Sequence, residues 1–79
     1  MVIKASSYRN WCTENISPQS WTRLVLKCLT QFRDRGFTLG QMESMESDFD
    51  LDAELLESLN QALEELYDME VDEALLVRY

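Results

Sequence analysis

Apolar residues recur along this chain at helical spacing. Trp21, Leu24, Val25, Cys28, Leu29 and Phe32 follow one another at i, i+3, i+4, i+7, i+8 and i+11, which places them on one stripe of a helix. Ser17 precedes this run as an N-cap candidate, and Pro18 suits the first helical position. Arg33 and Arg35 fall in the last turn, where cations complement the dipole, and Gly36 stands where a C′ residue closes a helix. The pattern predicts a long helix over 18–35. A second long helix is predicted over 52–67, in "DAELLESLNQALEELY". Its stripe is Leu55, Leu59, Ala62, Leu63 and Leu66, with Leu56 and Tyr67 at the edges.

Shorter elements fill the rest. "SSYRNWCTEN" predicts a helix over 7–14 with Tyr8, Trp11 and Cys12 on one face, and Asn15 and Ile16 make the turn after it. Thr38 and Gln41 have the spacing of a capping box for a short helix over 39–46. Phe37 is a staple candidate toward Met42, and Leu39, Met42 and Met45 share a face. "DMEV" is the expected turn after the second long helix, and Asp72 the expected cap of a last turn in "EALLVRY". Every predicted element is helical and the connections are a few residues long. The expectation is an all-α protein, a compact small helical bundle of about four to five helices formed as a single domain over 1–79.

Composition narrows this further. A 79-residue chain buries one modest core, with a net stability on the order of 3–5 kcal/mol. Two glycines and one proline are too few for the turns of an all-β fold. The two cysteines, Cys12 and Cys28, form no CxxC, and the chain has no histidine. Zinc ligation within one chain and a disulfide scaffold are therefore not expected, and Cys28 reads as a small core residue. No signal-peptide pattern or long apolar run occurs. A cytoplasmic protein with reduced thiols and no membrane association is expected.

Charge changes the picture most. Residues 1–42 carry six basic and two acidic residues, a net of +4, whereas residues 43–79 carry thirteen acidic residues and only Arg78, a net of −12. Phosphate repulsion makes direct nucleic-acid binding by the acidic half unfavourable, while a basic protein surface would be attracted and steered to it. Arg23, Lys27, Gln31 and Arg35 step along one side of the first long helix. They are expected to pair with the acidic helix, in the same molecule or in a second copy.

Candidate chemistry is sparse. "SDFDLDAE" sets Asp48, Asp50 and Asp52 on alternate positions, like the first half of a calcium loop. The sixth loop position is Ala53 rather than Gly, and the twelfth is Leu59 rather than a bidentate Glu. The simpler expectation is that Asp50 or Asp52 caps the second long helix. "ALEELYDMEVDEALL" resembles the second-helix region of acyl carrier proteins over fifteen residues. That family carries its cofactor arm on the serine of an Asp-Ser-Leu motif, and this chain has Asp52-Ala53-Glu54 in that register. The resemblance therefore implies no attachment site, and no cofactor is expected. Without histidine the usual general base is missing and Cys12 has no activating partner, so no enzymatic activity is expected.

What remains is a small acidic protein-binding regulator or inhibitor. It is expected to dock on a larger protein with a basic surface through Glu54, Glu57, Glu64, Glu65, Asp68, Glu70, Asp72 and Glu73. Phe49, Tyr67, Met69 and Tyr79 lie near element ends and are candidate hydrophobic anchors, with Phe49 and Met69 alternatively plugging the ends of the bundle. Tiny acidic inhibitors of phage or mobile-element type offer an analogy. Two other readings stand beside this one. In the first, a DNA mimic occupies a nucleic-acid-binding cleft. In the second, the chain self-assembles as a structural oligomer, with a homodimer the simplest case.

Overall fold

Two antiparallel residue pairs, Ile3 with Leu51 and Lys4 with Asp50, tie the N-terminal segment to the middle of the chain. Around this tie the computed structural model, which describes residues 3–44 and 48–77, is helical. The order is β1 (Ile3–Lys4), α1 (Ala5–Asn15), α2 (Ser20–Lys27), α3 (Leu29–Asp34), α4 (Leu39–Ser44), β2 (Asp50–Leu51), α5 (Ala53–Tyr67) and α6 (Glu73–Leu76). The radius of gyration is 11.2 Å, close to the roughly 11.6 Å expected of a compact chain of this length. The fold is the expected small all-α bundle, with six helices among the described residues rather than the expected four to five, and the two-residue ladder is an addition to it. No helix among the described residues is long and apolar enough to cross a membrane.

One core fills the interior. Tyr8, Trp21, Leu24, Phe32, Met42, Leu55, Leu59, Leu63 and Leu76 are fully buried. Tyr8, Trp21 and Phe32 lean on one another in succession, with ring centroids 6.0 and 6.5 Å apart. Phe32 then meets the stacked pair of Phe37 and Phe49, whose centroids are 4.3 Å apart. The Trp21 indole N–H donates to the Met42 carbonyl at 2.7 Å, which satisfies a buried donor and fixes α4 against α2.

The helix expected over 18–35 is two helices. Cys28 sits between α2 and α3 at φ −104°, ψ 18°, outside helical geometry. Its amide still donates to Leu24, and its carbonyl accepts from Gln31 and Phe32, so the hydrogen-bond ladder continues across the break. Phe32 stays buried, but Leu29 is carried off the stripe and is only partly buried. Nor does Ser17 cap α2. Its amide donates back to Cys12 and closes α1, while its carbonyl accepts the Ser20 amide and hydroxyl. Pro18 thus lies in a turn, and α2 begins at Ser20.

The exit from α3 follows the sequence. Gly36 has φ 83°, its amide donates to the Arg33 carbonyl at 3.0 Å, and the Phe37 amide donates to Phe32 at 3.1 Å. These two bonds and the Phe32–Phe37 ring contact, 6.3 Å between centroids, form a Schellman motif. The capping box at α4 also forms, with the Thr38 amide on Gln41 Oε1 and the Gln41 amide on Thr38 Oγ1. Met42 is buried, but Leu39 is exposed; Met45 lies outside the described residues. On α5 the buried stripe is Leu55, Leu56, Leu59, Ala62 and Leu63. It is rotated by one position from the expected stripe, so Leu56 turns inward and Leu66 turns out to solvent, 42% exposed.

Candidate acidic interaction groove

The three alternate aspartates go to three different joints. The Asp48 carboxylate accepts the Ser6 amide at 3.0 Å and the Ser6 hydroxyl at 2.5 Å, and the Phe49 carbonyl accepts the Ala5 amide at 2.8 Å. Two of the open amides at the start of α1 are thereby satisfied from across the fold. Asp50 pairs with Lys4 at 2.6 Å on the ladder. Asp52 is the N-cap of α5, accepting the Leu55 amide at 2.7 Å, and it also receives the Arg35 guanidinium at 3.0 Å. The Leu55 amide and, next, the Arg35 side chain hold the Asp52 carboxyl below its ordinary range. Of the two cap candidates, Asp52 takes the position and Asp50 does not. Among the described residues no group of acidic or thiol side chains has the arrangement of a metal site.

The expected docking carboxylates divide into two sets. Glu54 meets Arg35 at 3.3 Å and Glu65 meets Lys27 at 3.1 Å. Of the four side chains expected to pair with the acidic helix, Lys27 and Arg35 do so within one molecule, whereas Arg23 and Gln31 make no such pair among the described residues. Asp72 caps α6 through the Ala74 amide. Asp68 ends α5 in the left-handed conformation, φ 54°. The other four, Glu57, Glu64, Glu70 and Glu73, surround a groove of about 400 Å³ between α5 and the segment leading into α6. None of the four joins an ion pair among the described residues.

The groove has an apolar side and a polar one. Ala53, Leu56 and Val71 line it with Asn60 and Gln61, and Leu56 and Val71 are buried. Asn60 is held in place by Tyr8, whose hydroxyl donates to Asn60 Oδ1 at 2.8 Å. Burial raises the Tyr8 pKa strongly, so the phenol keeps its proton and stays a donor. The last turn of α5 carries no basic residue, so the negative end of its dipole adds to the carboxylates there. Sequence pattern did not single out Asn60, Gln61 or Val71, and it placed Leu56 only at the edge of the stripe. The only available signal was Leu56, four residues before Asn60 and on the edge of the stripe.

The expected anchors are less free than their positions in the sequence imply. Phe49, Tyr67 and Met69 are all partly buried and packed against the core, and Tyr79 lies outside the described residues. The thiols are also withdrawn. Burial pushes Cys12 up to about 12 and raises Cys28, whose thiol donates to the Ser58 carbonyl. No protein-family model, curated protein or solved structure matches the chain.

Proposed function

We propose that this protein is a small acidic regulator or inhibitor that docks on a larger protein and receives that partner's basic side chains in the groove beside α5. The observation that carries the reading is the unneutralised set Glu57, Glu64, Glu70 and Glu73 around a mainly polar groove in which Ala53, Leu56 and Val71 form a smaller apolar patch. Lysine and arginine combine an apolar stem with a cationic head. A patch of Ala53, Leu56 and Val71 with a carboxylate rim suits both parts of such a side chain. The same patch favours side-chain docking over imitation of a phosphate row, which has no apolar component. The two free thiols suit a reducing compartment, and the cytoplasm is the place of action in this reading.

A pull-down from nuclease-treated lysate tests it, with wild type and a Glu57→Gln/Glu64→Gln/Glu70→Gln variant as parallel baits. The expected result is one dominant basic partner on the wild type and at least a tenfold loss on the folded variant. Equal capture by both baits would refute the reading. Displacement of that partner by DNA, with a steep salt dependence, would replace docking by mimicry.

A further inference from the structure

The chain reverses after α5, and the returning segment 69–77 supplies one wall of the acidic groove through Glu70, Val71 and Glu73. Asp68 makes the reversal in the left-handed conformation, φ 54° and ψ 41°. It is the only non-glycine residue with positive φ among the described residues. The segment is thinly attached. From Met69 to Val77 only Val71 and Leu76 are buried, and Met69 is partly so. Its backbone hydrogen bonds close within it, the Leu75 amide on Asp72 and the Val77 amide on Glu73, and these do not tie it to the rest of the fold. Like charge works against that attachment. Glu57 and Glu64 of α5 lie across the groove from Glu70 and Glu73, and none of the four meets a cation among the described residues.

We propose that residues 69–77 are a strap hinged at Asp68, held down by Val71 and Leu76 and pushed off by the carboxylates across the groove. The empty groove opens locally, and neutralising its carboxylates closes the strap. The hinge falls at Asp68 because the left-handed region is unfavourable for any residue but glycine, and an aspartate released from it moves readily to the broader allowed regions. Opening uncovers Val71, Leu76 and the groove side of Leu56, while Leu59 and Leu63 stay packed on the other face of α5. Four like-charged pairs span the groove. At a separation on the order of 10 Å they favour the open form about tenfold more in about 0.01 M salt than in about 1 M, where the Debye length is about 3 Å. A cationic guest relieves the same repulsion, so the strap would regulate access to the groove of the docking reading. The strap itself needs no partner and its test uses the protein alone, so either reading can fail without the other.

Native-state hydrogen exchange of the full chain, read by NMR, tests the proposal. The Leu75 and Val77 amides report the strap, and the Leu59 and Leu63 amides report α5. The strap amides should be less protected than those of α5, and their protection should rise about tenfold between about 0.01 M and 1 M salt. Glu57→Gln/Glu64→Gln, at two exposed positions of α5, should give the same rise already at low salt and little more at high salt. Glu70→Gln/Glu73→Gln on the opposite wall should do likewise. Combining the two variants should add little, because either one alone removes all four pairs across the groove. Ordinary fraying of a helix end would leave the protection unchanged by salt. Strap amides as protected as those of α5, protection insensitive to salt, or gains from the two variants that simply add would each overturn the proposal.

Discussion

Carboxylates left without cations around a groove should oppose folding, and that opposition can be measured. In the variant Glu57→Gln/Glu64→Gln/Glu70→Gln three of the four groove charges disappear, while the Lys27–Glu65 and Arg35–Glu54 pairs are untouched. Seven residues of helical rise separate Glu57 and Glu64 by about 10 Å. At that distance two like charges in water repel by about 0.4 kcal/mol. In about 0.01 M salt, with a Debye length of about 30 Å, roughly 0.3 kcal/mol of this survives per pair. Removing three of the four charges ends all six repulsive pairs, which at that separation give about 1.8 kcal/mol, and removing Glu64 from the negative end of α5 adds about 0.3 kcal/mol. The variant should be more stable by about 2 kcal/mol, which for a domain of this size is a rise in Tm of roughly 8–16 °C. At about 1 M salt the Debye length is about 3 Å and almost all of the gain should vanish. Thermal melts followed by circular dichroism at the two salt concentrations read this directly. A variant no more stable than wild type at low salt, or a gain that persists at high salt, would refute the electrostatic account of the groove.

Three further outcomes are expected. Asp52→Ala should cost about 1–2 kcal/mol in urea unfolding through loss of the α5 cap, while Asp52→Asn keeps an acceptor for the Leu55 amide and should cost well under half of that. The Asp52 carboxyl is held low by that amide and by Arg35. Its extra stability is therefore present above its unfolded pKa of about 3.9, and it is lost as pH falls through the lower folded value. The gap between wild type and Asp52→Ala should narrow below about pH 4. Asp68→Gly should stabilise by about 1 kcal/mol, because glycine adopts the left-handed φ of 54° without strain and removes an anion from the α5 terminus. Leu59→Ala should cost about 2–5 kcal/mol, close to the whole stability, and Leu29→Ala about 1 kcal/mol, since Leu59 is fully buried and Leu29 only partly so. Equal costs at the two positions would contradict the break at Cys28.

That last contrast also marks where the sequence stopped being legible. Periodicity placed both long apolar stripes, and local capping chemistry placed several of the ends, though not the start of α2, which lies beyond the expected Ser17 cap and Pro18. Gly36, the Thr38–Gln41 box and Asp72 act as their residue types predict, because each satisfies a backbone group within a few positions. The stripe of the first long helix runs unbroken through Cys28, so its spacing gives no sign of the break there. Leu29 was accordingly expected in the core, and so was Leu66, because leucine at helical spacing reads as buried on either side of a small rotation. The early start of α1 had no local signal either. Its first two amides are satisfied by Phe49 and Asp48, more than forty residues away. The groove was half legible. Its carboxylates were expected on the surface, but their convergence depends on how the chain returns after Asp68, and its apolar patch depends on Leu56 turning inward.

Much of the acidic half is therefore occupied with holding the fold. Asp48, Asp50, Asp52, Glu54, Glu65 and Asp72 each meet a cation or a helix N-terminus, and a fold of this size has few other means of fixing its joints. Net charge alone would assign all thirteen acidic residues of that half to one surface. Partner geometry instead separates those that neutralise a defined group from those that repel one another around the groove. Only the second set costs stability while the protein is alone, and only that set would gain from a cationic partner. If neutralising the first set also stabilised the protein, the two sets would be one, and the groove would have no special claim to be the docking site.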